Sequence, residues 1–120
     1  MSAEFAAEVA ALAMAFPGAV CIGDPAQQLI LLPNIEMSGE WTPGNVAALL
    51  NCSGWPEQRP KLLVADVLKR NGNPPPNFSP EYIEEKSWYS YSFNIPYEGQ
   101  YPALIPVVRG FLARFDGRPS

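Results

Sequence analysis

The sequence predicts an α+β domain: a helix at each end, an antiparallel sheet meander of about four strands between them, and a long irregular loop before the C-terminal helix. Three observations carry this. Apolar residues recur at helical spacing near both ends of the chain. Short apolar runs bounded by Gly, Pro and Asn fill residues 19–68. A proline-rich segment then separates the runs from the second helical stretch.

The first helix follows Ser2 and Glu4, with Phe5, Val9, Leu12 and Phe16 forming a stripe that packs on a sheet. Alanines fill the positions between them, and Pro17-Gly18 stops the helix. Ala19–Ile22 and Gln28–Leu32 are two short strands, closed by Gly23-Asp24-Pro25 and by Pro33-Asn34, and together they read as a hairpin. Trp41 begins a third extended stretch, broken by Pro43-Gly44, and Asn45–Cys52 is a clear strand. Lys61–Leu68 is the last strong strand, with a short helix as its alternative.

Residues 71–77 read Asn-Gly-Asn-Pro-Pro-Pro-Asn. Three successive prolines fit neither a helix nor the inside of a sheet. Pro74 to about Lys86 is therefore expected to be an irregular surface loop, and loops of that length are often functional. Trp88, Tyr89, Tyr91 and Phe93 follow as an aromatic run alternating with Ser90 and Ser92. The second helix starts near Pro102 and presents Leu104, Val107, Val108, Phe111, Leu112 and Phe115. Pro106 falls within its first turn, Arg109 and Arg114 favour its C-terminal dipole, and Gly117 ends it.

Composition narrows the function. The 120 residues make one domain, are 48% hydrophobic and carry a net charge of −4. Eight scattered Lys and Arg residues give no footprint for nucleic acid. With no histidine, the commonest general base and metal ligand are missing. Cys21 and Cys52 are too far apart in sequence for a zinc motif, and each reads as a small buried apolar residue. Glu84-Glu85 reads as a solvated pair rather than an acid–base pair, and Asp66 as a solvent-facing residue. No phosphate loop or nucleophile elbow is present, so no cofactor is expected. Met1–Phe16 is apolar but lacks a positive start and contains Glu4 and Glu8, which argues against a signal peptide or a membrane span. A cytoplasmic setting with reduced thiols is the resulting expectation. Only 17% of residues are charged, which favours a surface made for a protein partner.

Several local motifs resemble the ubiquitin-conjugating enzyme (UBC/RWD) superfamily. There a strand leads into Tyr-Pro, then Pro-Pro-Lys-Val and the next strand. Here Asn45–Leu50 leads into Trp55-Pro56 and then Arg59-Pro60-Lys61-Leu62, with Arg59 in place of the first proline. Pro75-Pro76-Asn77 is similar to the family's His-Pro-Asn, with Pro75 in the histidine position. Tyr101-Pro102-Ala103-Leu104 resembles its Trp-Ser-Pro-Ala helix start. The resemblance spans residues 2–116 and implies a UBC-like fold.

It also implies that the catalytic cysteine is missing. In the family a thiolate carries the cargo as a thioester, about eight residues beyond the Asn. Counting from Asn77 reaches Glu85, and no thiol is near. Glu84 and Glu85 would moreover raise the pKa of any thiol beside them. Asn77 could serve as an oxyanion donor by resemblance, but with no nucleophile it reads better as a turn cap.

The leading expectation is a non-catalytic protein-binding domain whose partner is a ubiquitin-like modifier or an activating enzyme. Its contact residues would be Pro76, Asn77, Phe78, Tyr82, Trp88 and Tyr89. Two alternatives stand beside it: a small acidic secretion-type chaperone or adaptor that buries the aromatic run in a dimer interface, and an enzyme of unrecognised type using Cys52 or a carboxylate pair.

Overall fold

The computed structural model describes residues 3–37, 41–42, 44–55, 60–70, 72, 78–91 and 103–115. Two helices, α1 (Ala3–Ala15) and α2 (Leu104–Phe115), pack on one face of an antiparallel sheet. The sheet has six strands: β1 (Val20–Ile22), β2 (Leu29–Glu36), β4 (Asn45–Asn51), β5 (Lys61–Val64), β7 (Phe78–Ile83) and β8 (Lys86–Tyr91). Their spatial order is β1-β2-β4-β5-β8-β7. Two short strands, β3 (Trp41–Thr42) and β6 (Lys69–Arg70), pair separately.

The helix-side core follows from the sequence periods. Phe5 and Leu12 of α1 are fully buried, and Val9, Ala13 and Phe16 pack beside them. Leu104, Val107, Val108 and Phe111 do the same from α2. They meet Ile30, Leu32, Ala48, Leu50, Leu62 and Val64, which alternate along β2, β4 and β5. The intervening residues Leu29, Leu49 and Leu63 face the other way and pack under Trp88. Both faces of the central strands are thus covered, which explains runs that are continuously apolar rather than alternating.

Two side-chain features join the helices to this frame. Glu8 Oε1 of α1 accepts a hydrogen bond from the Leu104 N–H at 2.8 Å, satisfying one of the open donors at the start of α2. Pro106 is the third residue of α2, where its missing N–H breaks no helical bond.

The structure corrects the expected sheet in three places. Strand β2 does not end at Pro33-Asn34 but continues to Glu36, through an irregularity between Leu32 and Ile35. Strand β1 pairs only with Leu29–Leu31, so Pro33 interrupts no bond on that side. Lys61–Leu68 is a strand only to Val64, with bends before β6.

The largest difference is that residues 78–86 are no irregular loop. They form most of the β7–β8 hairpin, which extends the expected four-stranded meander to six strands. Pro80 does not prevent this. The two-residue loop makes Ile83 and Lys86 a hydrogen-bonded pair, so Glu81–Trp88 is another and Pro80–Tyr89 lies between them. The missing N–H of Pro80 therefore points away from β8, toward the open edge of the sheet. The tri-proline segment itself, residues 74–76, lies outside the described residues.

Candidate functional site

An open cleft of about 330 Å³ lies where the tip of the β7–β8 hairpin meets the β1–β2 turn and the end of β4. Leu29 and Ile83 form its apolar part, and Gln27, Asn51, Ser53, Tyr82 and Glu84 its polar walls. These seven residues come from three separate segments of the chain.

The hairpin is held down by Trp88. Its indole is buried among Leu29, Leu49 and Leu63, and Nε1–H donates to the Ile83 carbonyl at 3.2 Å. Lys86 Nζ lies 4.8 Å from the centre of the same indole ring, a cation–π contact. Lys61 Nζ pairs with Glu81 Oε2 at 2.6 Å. The Glu81 carboxyl is held below the usual carboxylate range, chiefly by its hydrogen bond to Lys61; partial burial opposes the shift and a Ser90 hydrogen bond adds to it.

The β1–β2 turn forms the opposite wall. Asp24 Oδ1 accepts from the Ala26 N–H at 2.9 Å and organises the short 3-10 turn Pro25–Gln27. Gly23 has φ +67°, and a Cβ there would lie 2.7 Å from Glu84 Oε1 and 3.2 Å from Gln27 Oε1. Glycine is thus required twice, for the backbone turn and for the close seat of the Glu84 carboxylate. The third wall is shaped by Asn51, whose Oδ1 accepts from the Ser53 N–H at 3.1 Å.

Backbone strain gathers at this cleft. Among the described residues, the non-glycine residues at positive φ are Gln28 (53°), Glu84 (52°) and Glu85 (61°). Glu84 and Glu85 form the two-residue hairpin loop, a position that prefers Asn-Gly. Left-handed backbone at bulky residues costs free energy and is found disproportionately at functional sites.

Neither sulfur reaches the cleft. Cys52 lies between Asn51 and Ser53 in sequence, but it is 0% exposed and packs into the helix-side core. Burial, with a smaller contribution from Cys21, pushes its thiol pKa up to about 12. Cys21 is half-buried on the same face, and burial raises its pKa as well. Among the described residues no group of three Cys, Asp or Glu is arranged to hold a metal.

The contact residues expected from sequence are scattered by the fold. Tyr82 is 73% exposed and lines the cleft. Trp88 is 3% exposed and belongs to the core under the hairpin. Tyr89 is half-buried against the helix-side cluster. Phe78 begins β7, its side chain undescribed, and Pro76 and Asn77 lie outside the described residues. Gln27, Asn51 and Ser53 were not expected at a site, and Glu84 only under the enzyme alternative, as one of a carboxylate pair. Their only local signals are the Gly23-Asp24-Pro25 turn and the two glutamates, and neither reveals that the three segments meet.

Compared with models of protein families, with curated proteins and with solved structures, the chain matches none. Within the described residues no helix is long and apolar enough to cross a membrane.

Proposed function

We propose that this chain is a non-catalytic protein-binding domain, related to the cysteine-lacking variants of ubiquitin-conjugating enzymes and to RWD domains. Its partner is a ubiquitin-like modifier or an activating enzyme of a conjugation pathway, met in the cytoplasm. The observation that carries this reading is the placement of the two sulfurs. A buried thiol with a pKa near 12 is ionised in roughly one molecule in 10⁵ at pH 7 and is closed to substrate. The position eight residues beyond Asn77, where the resemblance expects the nucleophile, is Glu85 in an exposed turn.

The order of elements supports the same relationship. Helix α1 leads into a four-stranded meander (β1, β2, β4, β5), with Trp55 and Pro60 falling between its third and fourth strands; the β7–β8 hairpin then joins the same sheet before α2, a departure from the expected four strands. The exposed Tyr82 beside a cleft gives a partner an aromatic contact. Trp88 is already occupied within its own subunit, which weakens a chaperone dimer built on the aromatic run.

The test is a titration of the isotope-labelled chain with purified ubiquitin-like proteins and activating enzymes, together with native iodoacetamide labelling. Expected are saturable shifts at the hairpin tip, weakened by Tyr82→Ala, and a Cys52 that does not label. A stable dimer that binds none of these proteins would overturn the reading, as would rapid labelling of Cys52.

A further inference from the structure

The cleft carries a charge that the fold does not neutralise. Among the described residues no cation pairs with Glu84. The two lysines on the neighbouring strands are committed elsewhere, Lys61 to Glu81 and Lys86 to the Trp88 ring. Asp24 and Glu85 are exposed on the two segments that meet at the cleft and add to the negative field. None of the seven lining residues is basic. An anion is therefore disfavoured here and a cation favoured.

Shape and chemistry narrow the cation. At about 330 Å³ the cleft is at the lower end of the range for small-molecule pockets, so it suits a side chain better than a nucleotide or a large cofactor. Leu29 and Ile83 offer an apolar wall for an aliphatic stem. Glu84 Oε1 sits over Gly23, 2.7 Å from where a Cβ would stand, so the exposed carboxylate is seated over the β1–β2 turn. In a cleft this small, a compact ammonium on a straight aliphatic stem fits with less bulk than the planar fork of a guanidinium.

We propose that this cleft captures a lysine side chain of the partner protein, with the stem along Leu29 and Ile83 and the ammonium on Glu84. The proposal rests on the protein-binding reading above and names the chemistry of its contact. It also accounts for the strained tip: left-handed Glu84 and Glu85 hold the carboxylate over the β1–β2 turn.

The probe is Nα-acetyl-lysine amide, compared with its Nε-acetylated form and with the norleucine analogue. The readout is the backbone amide spectrum of the isotope-labelled chain, which also reports whether each variant is folded. Saturable shifts are expected at Gln27–Leu29, Asn51–Ser53 and Tyr82–Glu85, about tenfold tighter for lysine than for either neutral analogue. Glu84→Gln should remove that preference, and Glu81→Gln should leave it intact. Equal shifts from lysine and norleucine, no saturable shift, or a lysine preference that survives Glu84→Gln would each overturn it. Failure of the two readings is separable: a partner whose affinity falls with Tyr82→Ala but not with Glu84→Gln rules out lysine capture and leaves the protein-binding reading standing.

Discussion

Replacing Glu85 with glycine should stabilise the protein. Glu85 sits at φ +61° in the second position of a two-residue hairpin loop and is exposed to solvent. Left-handed backbone costs a residue with a Cβ about 1–2 kcal/mol, a cost glycine does not bear. Against this, glycine makes the unfolded chain freer, by about 0.4–1 kcal/mol. The net gain is about 0.5–1 kcal/mol. Unfolding entropy of about 2.1 cal/mol/K per residue over 120 residues converts each kcal/mol into about 4 °C, so Tm should rise by about 2–4 °C.

Glu85→Ala is the decisive control. It removes the same carboxylate but keeps the Cβ, so the left-handed strain remains. Glycine and alanine variants measured side by side by thermal and urea unfolding therefore isolate the backbone term. The urea slope should be unchanged, because the surface exposed on unfolding is the same. If the glycine variant melts at or below the alanine variant, the hairpin loop is not strained as described, and the link between strain and the seating of Glu84 falls with it. Glu84 is a poorer position for this test, because its carboxylate also packs against Gly23.

Gly23→Ala should destabilise by about 1–2 kcal/mol and displace Glu84, since its Cβ would lie 2.7 Å from Oε1 at a left-handed φ; urea unfolding and the amide shifts of residues 82–85 check this. Glu8→Ala should cost about 1 kcal/mol by leaving the Leu104 N–H unbonded, while Glu8→Gln keeps the accepting oxygen and most of the stability. Glu81→Gln should cost no more than ~1 kcal/mol at neutral pH, because Lys61 is half exposed and the pair is screened by salt. The Glu81 pKa is lowered in the fold, so its contribution is complete above the unfolded carboxyl pKa of about 4.3 and fades as pH falls through the folded value. The gap between wild type and Glu81→Gln in pH-dependent unfolding should close on acidification, and a gap that widens refutes the pairing.

The helices and the central strands were legible because their burial is periodic. Phe5, Val9, Leu12 and Phe16 mark one face of α1, and the run Leu29–Leu32 marks a strand covered on both sides. The β7–β8 hairpin was not legible, for two local reasons. Pro80 argues against a strand unless its unpaired side is known to face the open edge. Glu84-Glu85 carries none of the usual signal for a two-residue loop, because the tip is held by Trp88 packing rather than by turn propensity. The cleft was illegible for a third reason: Gln27 and Asn51 meet through the β2–β4 register, and Glu84 joins them only where the hairpin tip reaches Gly23, which no local pattern encodes. Among the described residues, Tyr82 is the expected contact residue that the fold brings to this cleft.

Strand alternation explains why a cysteine can stand in the sequence of this cleft and take no part in it. Asn51 ends β4 on the cleft side, so Cys52 next to it points, like Leu50, to the opposite side and into the core beneath the helices, while Ser53 comes back to the cleft in the turn that follows. Moving the thiol by one position reverses this. In a Ser53→Cys variant the new sulfur is exposed, and iodoacetamide should modify it while Cys52 stays untouched. The new thiol should still react more slowly than cysteine in a short peptide, because the Glu84 carboxylate disfavours a second negative charge. Adding Glu84→Gln should speed the labelling, by an amount that shrinks as salt is raised. If Ser53→Cys labels no faster than Cys52, the sequence register at the end of β4 is wrong. If Glu84→Gln leaves the rate unchanged, the carboxylate does not govern the cleft. The same charge that would hold an ammonium opposes a thiolate, so a cleft suited to binding lysine is badly suited to carrying a thioester.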